Sequence, residues 1–428
     1  MNEAFLVFIW QYQYFNTNNL STTSEQNIKV FRTGTINTNA GADFMEARIL
    51  IDDVEWVGSV EIHTKSSDWH LHKHEKNLAY ENVILHIVWE NDKNIVRNDG
   101  TEIPTLELKN IVDKRILEKY ETLIETKDKI PCQFHFKGID HFHKLHLLDK
   151  MLIERIEEKS QIVSELLQSN SQDWEETTYQ LLAKNFGFKI NAEPFLMLAQ
   201  KIPLKILLKH ADNLFQIEAL LFGMAGFLET QTEDEYQLKL QKEFNYLANK
   251  YSLHDKKLAL HQWKFLRLRP ANFPTIRIAQ FAKVIQENIH LFSLFLHFED
   301  IQTFKKIFLL SPSEYWQSHY IFSKPSDNKE AKLGKSSYEN ILINTVVPLL
   351  YSHAKNKDLP ENLHKALGIL ESIPCEKNNV TTLWEELGLK VKTSFDSQGL
   401  IQLYNNYCTR KKCLSCTMGQ IILKQPLV

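Results

Sequence analysis

Two acids, Asp43 and Glu61, and a run of histidines, His63, His70, His72, His74 and His86, are the side chains of this 428-residue chain best suited to chemistry. Carboxylates are the ligands that hard cations prefer, so Asp43 and Glu61 together would hold Mg²⁺ or Mn²⁺. An ion held there can activate water or polarise a phosphodiester. Strand alternation puts Glu61 and His63 on one face, with Val60 and Ile62 on the other. Phe44–Ile51 and Val54–His63 read as a hairpin around Asp52-Asp53. With a two-residue turn, Asp43 falls opposite Ile62 and faces away from Glu61. A longer loop or a bulge shifts the register by one and brings Asp43 to the Glu61 face, and the metal reading requires that shift.

Three further groups compete with plainer explanations. His72 and His74 alternate, which on an extended segment puts both rings on one side. With Glu61 or Asp43 they would make a zinc or manganese site. The plain alternative is a solvated connector, and His86 reads as satisfied within its own strand. Arg267, Arg269 and Arg277 bracket a Pro-Asn-Phe-Pro segment and match phosphate oxygens in their fork geometry. The alternative is an internal network fixing a proline-rich corner. Cys408, Cys413 and Cys416 have the x4, x2 spacing of plant-type iron–sulfur ligands. A fourth ligand would have to come from Cys132, Cys375 or, for zinc, a histidine.

In an α-β-β-β-α-β order, Gly41-Ala42-Asp43-Phe44, the hairpin, and Val60-Glu61-Ile62-His63 resemble the PD-(D/E)xK restriction-endonuclease-like core. The resemblance implies that Asp43 and Glu61 bind metal. Ala42 stands where that motif has proline, and His63 stands where it has the assisting lysine. It also implies a place for the cysteines, since some nucleases of that superfamily carry an iron–sulfur cluster near the C-terminus. Over nearly its full length the chain is similar to a bacterial family catalogued as domain of unknown function 2851. The segments that carry this are Trp56–His63, Ser67–Trp69, Tyr80–His86, Trp263–Arg277, Phe395–Gln398 and the cysteine cluster. That family implies no activity, so function rests on the site.

Apolar residues make up 43% and charged residues 24%, with net charge −3, as in ordinary soluble proteins. This balance argues against a protein that coats nucleic acid electrostatically, but a local basic groove remains compatible with it. No apolar run has the length of a membrane span. The N-terminus lacks the basic residues and cleavage site of a signal peptide, so a cytoplasmic protein without membrane association is expected.

The period of the apolar residues then sets the organisation. Residues 4–15 read as a helix, Ile28–Thr33 as a strand, Val83–Trp89 as a buried strand, Thr101–Leu108 as an edge strand, and Cys132–Lys137 as a last strand or extended connection. From Asp140 the period becomes helical. The expected fold class is α+β: a small nuclease-like mixed sheet domain over 1–139, a helical domain over 140–322, a Lys-rich loop Ser323–Ser337, and a helical segment over 338–428 carrying the cysteines. The expected function is metal-dependent cleavage of DNA or RNA by Asp43, Glu61 and His63, with the arginines on phosphates. The alternatives are a catalytically inactive scaffold that binds nucleic acid or protein, and a zinc hydrolase built on the histidines.

Overall fold

The structure, a computed structural model, describes residues 1–298, 300–327 and 331–424. Part of the expected loop Ser323–Ser337, residues 328–330, and positions 425–428 of the C-terminal segment lie outside the described residues. The chain divides into two compact units. One comprises Met1–Leu147 with Leu403–Val428, and the other Leu148–Gln402. The division therefore falls a few residues after the expected boundary at 139, and the segment 338–428 is shared between the two units.

The first unit begins with α1 (Glu3–Tyr12), whose first turn is capped by the Asn2 side chain accepting from the Phe5 N–H at 3.0 Å. Its sheet comprises β1 (Leu20–Ser21), β2 (Asn27–Arg32), β3 (Thr35–Ile36), β4 (Phe44–Ile51) and β5 (Val54–Lys65). After α2 (Asp68–Leu71) come β6 (Val83–Glu90) and β7 (Thr105–Glu107), then α3 (Lys114–Glu125) and α4 (Gln133–Phe136). The strand order is β1-β2-β4-β5-β6-β7, with β3 also pairing β4. β2, β4 and β5 are antiparallel, while β5, β6 and β7 run parallel. The first six residues of β6 are buried, as expected for a parallel strand covered on both faces.

Local chemistry fixes the hairpin register. Ile51 pairs with Val54, leaving the two-residue turn Asp52-Asp53. Asp52 adopts φ 48° and its carboxylate accepts from the Asn27 N–H at 2.9 Å. A bulge follows: Ala47 pairs with Gly58, but Phe44 pairs with Val60, and Glu46 within it has φ 57°. That one-residue slip is the shift the sequence reading required, because it sets Asp43 beside Glu61. At Gly58, a Cβ would lie 2.6 Å from the Asn82 carbonyl, so only glycine lets the start of β6 approach β5. Where a last strand or extended connection is expected, at 132–137, the chain forms the short helix α4, with Phe136 buried and Phe134 exposed.

The second unit is helical, apart from the short pair His319–Ile321 and Lys324–Pro325. Helix Pro274–Glu287 is buried nearly all round, and its Phe281 meets Tyr179, Phe186 and Phe195. Helices Lys335–Ile341 and Val347–Lys357 are joined by a wide turn, Leu342–Val346, just before Pro348. Proline has no N–H to continue the regular ladder, and the wider turn accommodates it. Among the described residues no helix is long and apolar enough to cross a membrane.

Candidate metal centre

Glu61 and His63 project from the same face of β5, and both are buried, at 5% and 1% exposure. The chain then folds back over that face. Ser66 and Ser67 bind the Asp92 carboxylate at 2.8–3.0 Å, which pins the start of α2 to the end of β6. His72 caps the C-terminus of α2, Lys73 takes φ 60°, and His74 opens a 3₁₀ turn. The left-handed Lys73 turns both neighbouring imidazoles toward β5. The expected convergence of His72 and His74 is thus present, but a tight turn produces it and not an extended strand.

The result is a set of ligand atoms around one point. His63 Nε2 stands 3.1 Å from His72 Nδ1, 3.2 Å from His74 Nε2 and 3.4 Å from Glu61 Oε1. Glu61 Oε1 is 3.2 Å from His74 Nε2. The three imidazole nitrogens lie within 4.8 Å of one another, the one such group of three among the described residues. A ring nitrogen carries one proton or one lone pair, so it can satisfy only one of three such neighbours by hydrogen bonding. Ligand atoms bound tetrahedrally to zinc at ~2.0–2.1 Å stand about 3.3–3.4 Å apart, close to these four spacings; Glu61 lies outside the group of three and approaches from the His63 and His74 side. The residues present therefore fit a divalent ion.

A second layer orients these ligands. His63 Nδ1 meets His86 Nε2 at 2.8 Å, so His86 fixes the tautomer that leaves His63 Nε2 available. The sequence reading treated His86 as satisfied in its strand. In fact it serves His63, and its own Nδ1 has no partner. Asp43 N–H donates to Glu61 Oε2 at 3.2 Å, and Asp43 Oδ2 accepts from the Ile62 N–H at 2.9 Å. Asp43 thus enters as the support that aims Glu61, with one carboxylate oxygen already engaged. Tyr80 stacks on His74 at 3.8 Å, and buried Trp69 packs edge-on against His63, His74 and His86. His70 leaves the cluster for Glu75, 3.5 Å away. Exchange of His86 for alanine should weaken binding of zinc or manganese about 10–100-fold, the usual cost of an outer-layer partner, as read by chelator competition.

Burial dominates the electrostatics. It pushes Glu61 up to about 8, with Asp43 adding to the effect, and Asp43 up to about 6. Burial, then the neighbouring rings, pushes His63 down to about 2, and likewise His74 to about 4 and His86 to about 3. These three imidazoles are therefore neutral at physiological pH, the form that ligates metal. Glu3, at the start of α1, lies near enough to raise both acids, and its own carboxyl is raised chiefly by burial. Nothing in the sequence pattern linked Glu3 to this site.

The other expected site residues separate. Arg277 is 3% exposed, binds Gln280, Asn272 and Ser337, and lies over the Phe188 ring. It is an internal brace of the helical unit and is not presented to a phosphate, which corrects the expectation. Arg267 and Arg269 are exposed in that same unit. Cys408, Cys413 and Cys416 gather with Cys132 around one small cavity, while Cys375 belongs to the helical unit.

Neither a curated protein nor a solved structure matches this chain. A family model described as "Protein of unknown function (DUF2851)" matches residues 3–379, most of the sequence. The chain belongs to that family.

Proposed function

We propose that this protein is a metal-dependent phosphodiesterase acting on nucleic acid, with its ion held by Glu61, His63, His72 and His74. The observation that carries the reading is the convergence of three imidazole nitrogens within 4.8 Å of one another, with Glu61 Oε1 3.4 Å and 3.2 Å from those of His63 and His74. Imidazole-rich sites suit zinc or manganese better than magnesium, which prefers oxygen ligands, so of the Mg²⁺ or Mn²⁺ expected from two acids manganese stays and zinc takes the place of magnesium. A bound ion of this class supplies Lewis acidity and makes water a nucleophile near neutral pH. Asp43 holds Glu61 in place through its backbone and, with its raised carboxyl, is placed to take a proton. His72 is exposed and marks the open side, where substrate would enter. The choice of a phosphodiester rests on the order of elements: α1, an antiparallel meander, a crossover and parallel β6, with Asp43 directly before β4 and Glu61 on β5, its paired strand. That arrangement supports a restriction-endonuclease-like domain.

The test is hydrolysis of single- and double-stranded DNA and RNA by purified protein with Zn²⁺ or Mn²⁺, beside Glu61→Gln and with metal content measured. Cleavage lost in the variant supports the reading. Retention of the ion without cleavage of any of the four substrates would sink the phosphodiesterase and leave a metal-binding scaffold.

The acid–base state of the site gives a second expectation. Without an ion Glu61 is protonated at pH 7, so binding must expel that proton, whereas His63 and His74 are already neutral. Apparent affinity should therefore rise with pH up to about 8 and fall by up to about tenfold per unit below it. Metal addition in weak buffer at pH 7 should release about one proton per ion. In the metal-free protein the sign is opposite. Glu61 has its folded value above the unfolded one, so its contribution to stability is complete below about 4.5 and is lost as pH rises through about 8.

A further inference from the structure

Cys408, Cys413 and Cys416 lie in the terminal segment, and Cys132 lies far upstream between α3 and α4. The fold brings all four to one small cavity, with Tyr407 and Gly419 beside them. Each cysteine is buried, at 7–9% exposure. No disulfide joins them among the described residues. Burial raises the thiols of Cys132, Cys408 and Cys413, and in each case the neighbouring cysteines raise them further, as expected of sulfurs facing a shared space.

The surrounding backbone is shaped for this meeting. At Gly419, a Cβ would stand 2.0 Å from the Cys413 carbonyl, so only glycine lets the last helix, Thr417–Lys424, close over the Cys413–Ser415 turn. Between the first two cysteines runs the basic stretch Arg410-Lys411-Lys412. Lys411 Nζ donates to the Ile124 carbonyl and, at 2.8 Å, to that of Thr126, both at the C-terminal end of α3. That puts positive charge near enough to Cys413 to favour its thiolate. Lys119 reaches the Ile422 carbonyl at 3.3 Å from the other side.

The spacing of the sulfurs separates two kinds of occupant. Thiolates bound to one zinc at ~2.3 Å would stand about 3.8 Å apart. Among the described residues no three cysteine sulfurs come within 4.8 Å of one another. Thiolates that each bind a different part of a polynuclear cluster stand wider, and the x4, x2 spacing belongs to such sites.

We infer that Cys132, Cys408, Cys413 and Cys416 ligate an iron–sulfur cluster that fastens the terminal segment Leu403–Lys424 to α3 and the start of α4. This is independent of the histidine centre on β5 and survives the failure of any nuclease reading.

The experiment isolates the full chain under anaerobic conditions and measures iron, acid-labile sulfide, zinc and the visible spectrum. It uses wild type, Cys132→Ser and, as a control outside the cavity, Cys375→Ser. Iron and sulfide in comparable amounts with a broad visible band, abolished in Cys132→Ser and kept in Cys375→Ser, are expected. Cys132→Ser should also expose the terminal segment to limited proteolysis. Zinc that disappears with Cys132→Ser, in a wild type lacking iron, would overturn the cluster in favour of a zinc site. Wild type that takes up neither metal, even after incubation with ferrous iron and sulfide, would overturn the site itself. Because that last measurement is made on wild type, poor folding of the variant cannot rescue the idea.

Discussion

Replacing His63 with alanine is expected to abolish metal binding and hydrolysis together. His63 Nε2 is the atom from which His72, His74 and Glu61 are each 3.1–3.4 Å away, so its loss removes a ligand and the hub that the others share. The loss of affinity for Zn²⁺ or Mn²⁺ should exceed the ~10–100-fold set for the outer-layer His86. Exposed His72, on the open side, should matter less, and buried His74 should fall between the two. Thermal melts supply a readout that does not depend on finding a substrate. An ion at 100 times its dissociation constant stabilises the folded state by about 2.7 kcal/mol, so wild type should melt higher with metal and His63→Ala should not respond. A His72→Ala protein that loses more affinity than His63→Ala would place the ion elsewhere and break this account.

The parts of the site that follow alternation were legible in the sequence, and the parts that depend on irregular backbone were not. Glu61 and His63 share a face because a strand has period two, and the buried run Val83–Val88 announced a central strand. The bulge that places Asp43 beside Glu61 is different. It turns on Glu46 at positive φ, a conformation glutamate does not advertise. His72 and His74 come together by a geometry the alternation did not suggest, since Lys73 in the left-handed region, not strand pleating, aims them. His86 reaches His63 only through parallel pairing of β5 with β6, where Glu61 stands opposite His86. No local pattern reports which strands become neighbours. Cys132 illustrates the same limit: Gln133-Phe134-His135-Phe136 alternates like a strand but forms one helical turn that delivers the cysteine to its distant partners. Arg277 misled because an arginine in the first turn of a helix reads as exposed, whereas this helix is buried nearly all round.

The largest effect on stability is expected from Trp10→Ala. Trp10 is fully buried in α1, its ring lies parallel to Phe15 at 5.9 Å, and its Nε1–H donates to the Thr33 carbonyl at 3.0 Å. Phe5, Leu6 and Ile9 are buried along the same helix, so α1 is held almost wholly by this apolar stripe. Truncating a buried tryptophan costs ~3–5 kcal/mol through lost transfer energy and the cavity left behind. The Thr33 carbonyl loses its donor as well. The melting temperature of the sheet unit should fall by roughly 10 °C. The helix also packs on β5, the strand that carries Glu61 and His63, and its first residue, Glu3, is felt by both acids of the centre. Weakening α1 should therefore loosen the ligand face before the whole unit unfolds. A saturating ion, which binds only the assembled face, is expected to return part of the lost stability. A Trp10→Ala protein that melts lower yet gains nothing from the ion, while wild type still does, would mean that the helix is needed to assemble the ligand face. Equal gains in both would mean that α1 supports the sheet without shaping the site.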